Sequence, residues 1–141
     1  MRHRLYYHLV WTTRDRAPLI DSTTAEFLCR FLRPMAWKER ARILEIGMAR
    51  THVHVLLTAN PMTNWPHLVQ LLKGVSATVA NKEGYAAREQ PLLWASGYSL
   101  QTIGETQVER VRAYLRSQPR HHPEQVIEGW AGDTALSEQL R

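Results

Sequence analysis

One cysteine, no long apolar run and no repeated or low-complexity stretch are what this chain has least of, and each scarcity excludes a class of protein. The lone Cys29 has no partner for an internal disulfide or for a cysteine-based zinc site, and it reads as a small buried apolar residue. No stretch approaches the roughly 18 apolar residues of a membrane span. The start, Met1-Arg2-His3-Arg4, runs into an alternating segment without a small-residue cleavage site, so no secretory leader is expected and the cytoplasm is the expected location. What is present suits a folded domain: 141 residues, 44% apolar and 22% charged, enough for one core and too apolar for disorder. A single domain over residues 1–120 and a short C-terminal tail over 121–141 are expected.

Acidic residues are scarce outside that tail. Residues 121–141 hold one arginine against Glu124, Glu128, Asp133 and Glu138; removing them from the totals of 18 basic and 13 acidic side chains leaves 17 against 9, a net of +8 for residues 1–120. Such an excess favours a polyanionic partner, although a basic surface without a partner explains it equally well.

Hydrophobic periodicity divides the chain. Leu5 to Thr12 alternates as a strand and leads into a basic turn through Arg14, Asp15 and Arg16. Asp21 or Ser22 caps a helix carrying Phe27, Leu28, Phe31, Leu32 and Met35, with Pro34 expected to kink or split it. Ile43 to Met48 and His52 to Thr58 form a hairpin joined at Ala49-Arg50-Thr51. Leu68, Leu71, Leu72, Val75 and Val79 mark a second helix. Leu92 to Trp94 and Gly97 to Ile103 suit one or two strands, and a third helix begins near Glu105 and stops at Pro119. This order describes an α+β domain of ferredoxin-like type, an antiparallel sheet with helices mainly on one face and a further C-terminal helix.

Chemistry concentrates at two places. In a strand, His52 and His54 project from the same face, where two imidazoles can chelate one ion; on that pattern alone a pair of surface histidines is the commoner reading. On the third helix Tyr114 and Gln118 stand four residues apart, one turn from each other, among Arg110, Arg112, Arg116 and Arg120. Phenol ionises near pH 10, so a nucleophilic tyrosine needs a basic setting or a metal, and packing beside Val111 and Leu115 accounts for the spacing of Tyr114 at least as well.

Five stretches in order carry a resemblance: Leu5-Tyr6-Tyr7-His8-Leu9-Val10-Trp11, Thr51-His52-Val53-His54-Val55-Leu56-Leu57, Leu68-Val69-Gln70-Leu71-Leu72-Lys73-Gly74, Leu93-Trp94-Ala95-Ser96-Gly97-Tyr98 and Tyr114-Leu115-Arg116-Ser117-Gln118. Over about residues 5–122 the chain resembles the single-tyrosine HUH transposases of the insertion sequence two-hundred/six-hundred-and-five group, named for a His-hydrophobic-His motif. The resemblance implies that His52 and His54 bind an ion, that Gln118 is a third ligand and that Tyr114 attacks DNA. Two imidazoles and an amide oxygen suit Mg²⁺ or Mn²⁺ better than a closed zinc site. It further implies single-stranded DNA with subterminal hairpins as partner, a 5′-phosphotyrosine intermediate, and a homodimer whose tyrosine helix is able to act in trans. Arg14, Arg16, Lys73, Arg112 and Arg116 are candidates for phosphate contacts, and Trp65, Trp94 and Tyr98 for base stacking, with core packing the stronger role for Trp94. Two segments depart from the usual family pattern: Ala49-Arg50-Thr51, where Pro-Asp is common, and Ala95-Ser96-Gly97. His121 and His122 are expected as solvated tail residues. The main alternative function is a domesticated hairpin-DNA-binding protein of the same fold without transposition activity; a hydrolase in which water attacks is a third.

Overall fold

Alternation builds the first strand: in β1 (Tyr6–Thr12) every second side chain is buried, with Tyr7, Leu9 and Trp11 on one face and Tyr6, His8, Val10 and Thr12 on the other. The computed structural model describes residues 5–117 and 125–133. β2 (Arg42–Ala49) and β3 (His52–Thr58) form the expected hairpin, and β4 (Ser99–Ile103) completes a four-stranded sheet in the order β2-β3-β1-β4, with every neighbouring pair antiparallel. The ferredoxin-like α+β expectation is met.

α1 (Ser22–Lys38) starts where Asp21 accepts a hydrogen bond from the Thr24 amide, and it runs unbroken past Pro34 for another turn. The expected split does not occur: proline removes one amide donor, while Leu32 and Ala36 on either side are fully buried and hold the helix to the sheet. The second helical segment begins after the Asn64 cap as α2 (Trp65–Gln70), passes through a π-helical turn (Leu71–Val75) and continues as α3 (Ser76–Glu83). Gly84, at φ 83°, ends it in the left-handed conformation that glycine adopts without steric cost. Leu92 to Trp94 supplies a single bridge, Thr13 to Trp94, in place of a full strand.

α1, α2 and α3 cover the face bearing Leu9, Trp11, Val53 and Val55, which are at most 1% exposed. α4 (Val108–Arg116), preceded by a 3-10 turn (Glu105–Gln107), packs on the opposite face, where Val108 and Leu115 close over the fully buried Leu56. Gly104, just before that turn, has φ −66° and ψ 146°, values open to any residue. A register shift between Ile43 and Glu45 turns Glu45 away from the apolar core and toward α4.

Residues 125–133 pack against the body. Ile127 joins the main core, and the buried Asp133 carboxylate grips the Arg33 guanidinium with two hydrogen bonds of 2.6 Å while accepting the Ile46 amide of β2 at 3.0 Å. Among the described residues, no helix is long and apolar enough to cross a membrane.

Candidate active site

The pleat that buries Val53 and Val55 points His52 and His54 together to the side that carries α4. Their ring centroids lie 4.9 Å apart with planes at 73°. Each imidazole has a supporting partner at Nδ1: Thr51 Oγ1 lies 3.0 Å from that of His52, and His8 Nε2 lies 2.9 Å from that of His54. Histidines that ligate a metal through Nε2 characteristically have such a partner on the other ring nitrogen, which fixes tautomer and ring direction. The donor chemistry of the pair therefore fits a divalent ion. Among the described residues, no three His, Cys, Asp or Glu side chains are grouped to hold one. Gln118, expected as a third ligand, and His121 and His122 lie outside the described residues.

Tyr114 comes to the same place. Its ring sits 6.4 Å from that of His54, edge to face at 75°, with the residue 40% exposed. The side chain is therefore not part of the apolar seat of its helix, which Val108, Val111 and Leu115 form. A phenol beside a histidine pair on an open sheet face can reach a polyanionic substrate while the strand holding the imidazoles stays rigid.

The sequence profile of the IS200-like transposases matches residues 1–118. The chain belongs to the IS200-like transposase family. It is 29% identical over 120 residues to the ISDra2 transposase TnpA of Deinococcus radiodurans, covering 82% of this chain and 85% of that protein. It is 25% identical over 118 residues to the transposase for insertion sequence element IS200 of Salmonella typhimurium, covering 79% and 75%. A crystal structure of a candidate transposase from Deinococcus radiodurans R1 superposes with a TM-score of 0.64 at 26% identity, over 84% of this chain and 93% of that one. A REP-associated tyrosine transposase bound to a REP hairpin shares the fold, with a TM-score of 0.65 at 12% identity over 86% and 72%.

Within this IS200-like chain the basic residues take different places. Arg14 and Arg16 are exposed on the turn that leaves β1 at the end where Thr12 pairs with His52. Asp15 and Arg16 both hold a left-handed backbone, φ 55° and 54°, which is uncommon outside glycine and shapes that turn tightly. Arg112 and Arg116 instead converge on buried Glu45, with nitrogen–oxygen separations of 3.3 and 3.1 Å, and help to hold α4 on the sheet. Lys73 donates to the backbone carbonyls of Ala95 and Gly97 at 2.6 and 2.8 Å and so ties the loop after Trp94 to the π-helical turn; partial burial of its ammonium group lowers its pKa. Trp94 stacks edge-on against Trp11, with its indole N–H directed at Ser76 Oγ, and Trp65 lies against Tyr7. Tyr98, 41% exposed, is the one of the three aromatic candidates that faces solvent.

Sequence reasoning missed His8, Thr51 and Glu45. His8 shares the strand parity of Tyr6 and Val10, and that signal was legible; its meeting with His54 depends on the β1–β3 register, which sequence spacing does not carry.

Proposed function

We propose that the chain is a DNA transposase that cleaves and rejoins single-stranded DNA at hairpin-marked ends, with Tyr114 as nucleophile and a divalent ion, Mg²⁺ or Mn²⁺, held by His52, His54 and Gln118. The observation that carries this reading is the approach of Tyr114 to His54 on the sheet face opposite the main core. Membership of a transposase family supports it, as does the likeness in fold to a protein bound to a REP hairpin.

The ion, when bound, supplies positive charge to the phosphate and the departing oxygen. The protein's own part is orientation: β3 fixes the two imidazoles, and α4 sets the phenol beside them. The Tyr114 oxygen, once deprotonated, attacks phosphorus; the bond from phosphorus to the 3′ oxygen breaks, and that oxygen leaves as a hydroxyl after taking up a proton. The 5′ phosphate stays on Tyr114, so the energy of the phosphodiester is kept and a new 3′ hydroxyl can reverse the step to join another strand. The exposed Arg14 and Arg16 turn lies where it can hold the backbone of the same strand.

We also propose a homodimer in which α4 is able to act in trans. Leu56 and Glu45 would offer the α4 of a second copy the same apolar and ionic seat that they offer their own, which is the usual basis of an exchanged element.

The test incubates the full chain with single-stranded hairpin DNA and Mg²⁺. A protein–DNA adduct that survives denaturation, vanishes in Tyr114→Phe and requires the ion is expected. Binding without an adduct would favour the domesticated hairpin-binding alternative, and free 5′-phosphate ends without an adduct would favour attack by water.

A further inference from the structure

The C-terminal segment reaches the histidine site. Gln125 Oε1 accepts a hydrogen bond of 2.9 Å from the Thr51 hydroxyl, and the same hydroxyl oxygen lies 3.0 Å from His52 Nδ1. A threonine hydroxyl has one proton to give. With that proton directed to Gln125, Thr51 can meet His52 only as an acceptor, so the imidazole has to carry its proton on Nδ1 and its lone pair on Nε2. A reversed Gln125 amide would present N–H to Thr51, turn the hydroxyl toward His52 and impose the opposite tautomer. The direction of one amide on the C-terminal segment therefore selects the form of His52.

Both members of this chain are held in place. Thr51 is 9% exposed, and its carbonyl accepts from the Thr13 amide at 2.8 Å. The Gln125 carbonyl accepts the Arg50 amide at 3.0 Å. Beyond it, buried Ile127 and the Asp133–Arg33 pair anchor the segment to the core. Gln125 lies beyond the residues 1–118 that match the family.

We propose that Thr51 and Gln125 are positioning residues that fix His52 in the tautomer able to ligate a divalent cation, which makes residues 125–133 a working part of the site. The inference rests on the reading of His52 as a ligand, and the experiment separates the two.

Mn²⁺ alone, without DNA, is titrated into the full chain and the free ion is read by electron paramagnetic resonance. Gln125→Ala and Thr51→Val are each expected to weaken binding about tenfold, the scale seen when a supporting partner of a metal ligand is lost. The double variant should bind no more weakly than Thr51→Val, because both act through one chain of hydrogen bonds. Gln125→Glu, which can only accept at neutral pH, and Thr51→Ser, which keeps the hydroxyl, should retain wild-type affinity. Imidazole ¹⁵N spectra should show His52 with its proton on Nδ1 in the wild type and a mixture of tautomers in Gln125→Ala. His52→Ala is the reference. If it binds Mn²⁺ as the wild type does, His52 is not a ligand and both readings fall. If it loses the ion while folded Gln125→Ala keeps wild-type affinity and tautomer, the ligand reading stands and the positioning role is overturned.

Discussion

His54 has three neighbouring rings, His52, His8 and Tyr114, and His8 has a condition attached. Burial lowers the pKa of His8 from its ordinary 6.5, which favours the neutral ring where its Nε2 meets His54 Nδ1 at 2.9 Å. Because the folded pKa is depressed, the unfolded chain takes up this proton first as pH falls. The contribution of His8 to stability is complete above about pH 6.5 and declines below it toward the folded value. Urea unfolding at about pH 7.5 and about pH 5.5 should show a smaller acid-side loss in His8→Gln than in the wild type. Cys29 offers a second check. Burial, together with the nearby Asp133 carboxylate, pushes its thiol far above the usual range, so a thiol reagent at neutral pH should leave it unmodified until the chain is unfolded. The parity of His52 and His54 was legible because strand alternation is a local property. The contacts to His8, Thr51 and Gln125 were not, since each depends on distant segments being brought into register.

At the scale of elements, α4 carries the proposed nucleophile Tyr114, and two features hold it to the sheet. Leu56 is fully buried beneath Val108 and Leu115, and Glu45 receives Arg112 and Arg116. Leu56→Ala should cost about 2–5 kcal/mol in chemical denaturation, the usual range for emptying a packed leucine site. Glu45→Gln removes the charge from two charge-assisted contacts, and a loss of about 1.5–3 kcal/mol is expected. Because both arginines retain access to solvent, the loss should concentrate in α4, where amide hydrogen exchange should rise before it rises in β1 or β3. The helix itself was readable from Val108, Val111 and Leu115. Its docking was not, because the bulge that turns Glu45 toward it leaves no signature in an Ile-Leu-Glu-Ile run. A similar limit applies to Pro34: the sequence shows a missing donor, and only the packed structure shows that burial on either side outweighs it.

For the whole molecule, charge and assembly are the open variables. The acidic tail expected from the sequence is not wholly separate from the basic body, since the buried Asp133 carboxylate pairs with Arg33 and accepts the Ile46 amide of β2. An excess of positive charge still favours DNA, and affinity for a single-stranded hairpin should fall steeply and linearly in a plot of log K against log salt. If α4 acts in trans, mixing the inactive Tyr114→Phe chain with the inactive His52→Ala chain should restore strand cleavage. In such a mixed dimer one site joins an intact histidine pair to an intact tyrosine, whereas action in cis predicts no recovery. The decisive measurement is the location of the bond to DNA. After reaction with hairpin DNA and Mg²⁺, nuclease trimming and tryptic digestion, mass spectrometry should find the residual nucleotide on the peptide from Ala113 to Arg116, attached at Tyr114. A nucleotide on Tyr6, Tyr7, Tyr85 or Tyr98, or cleaved DNA with no modified tyrosine at all, would contradict the account.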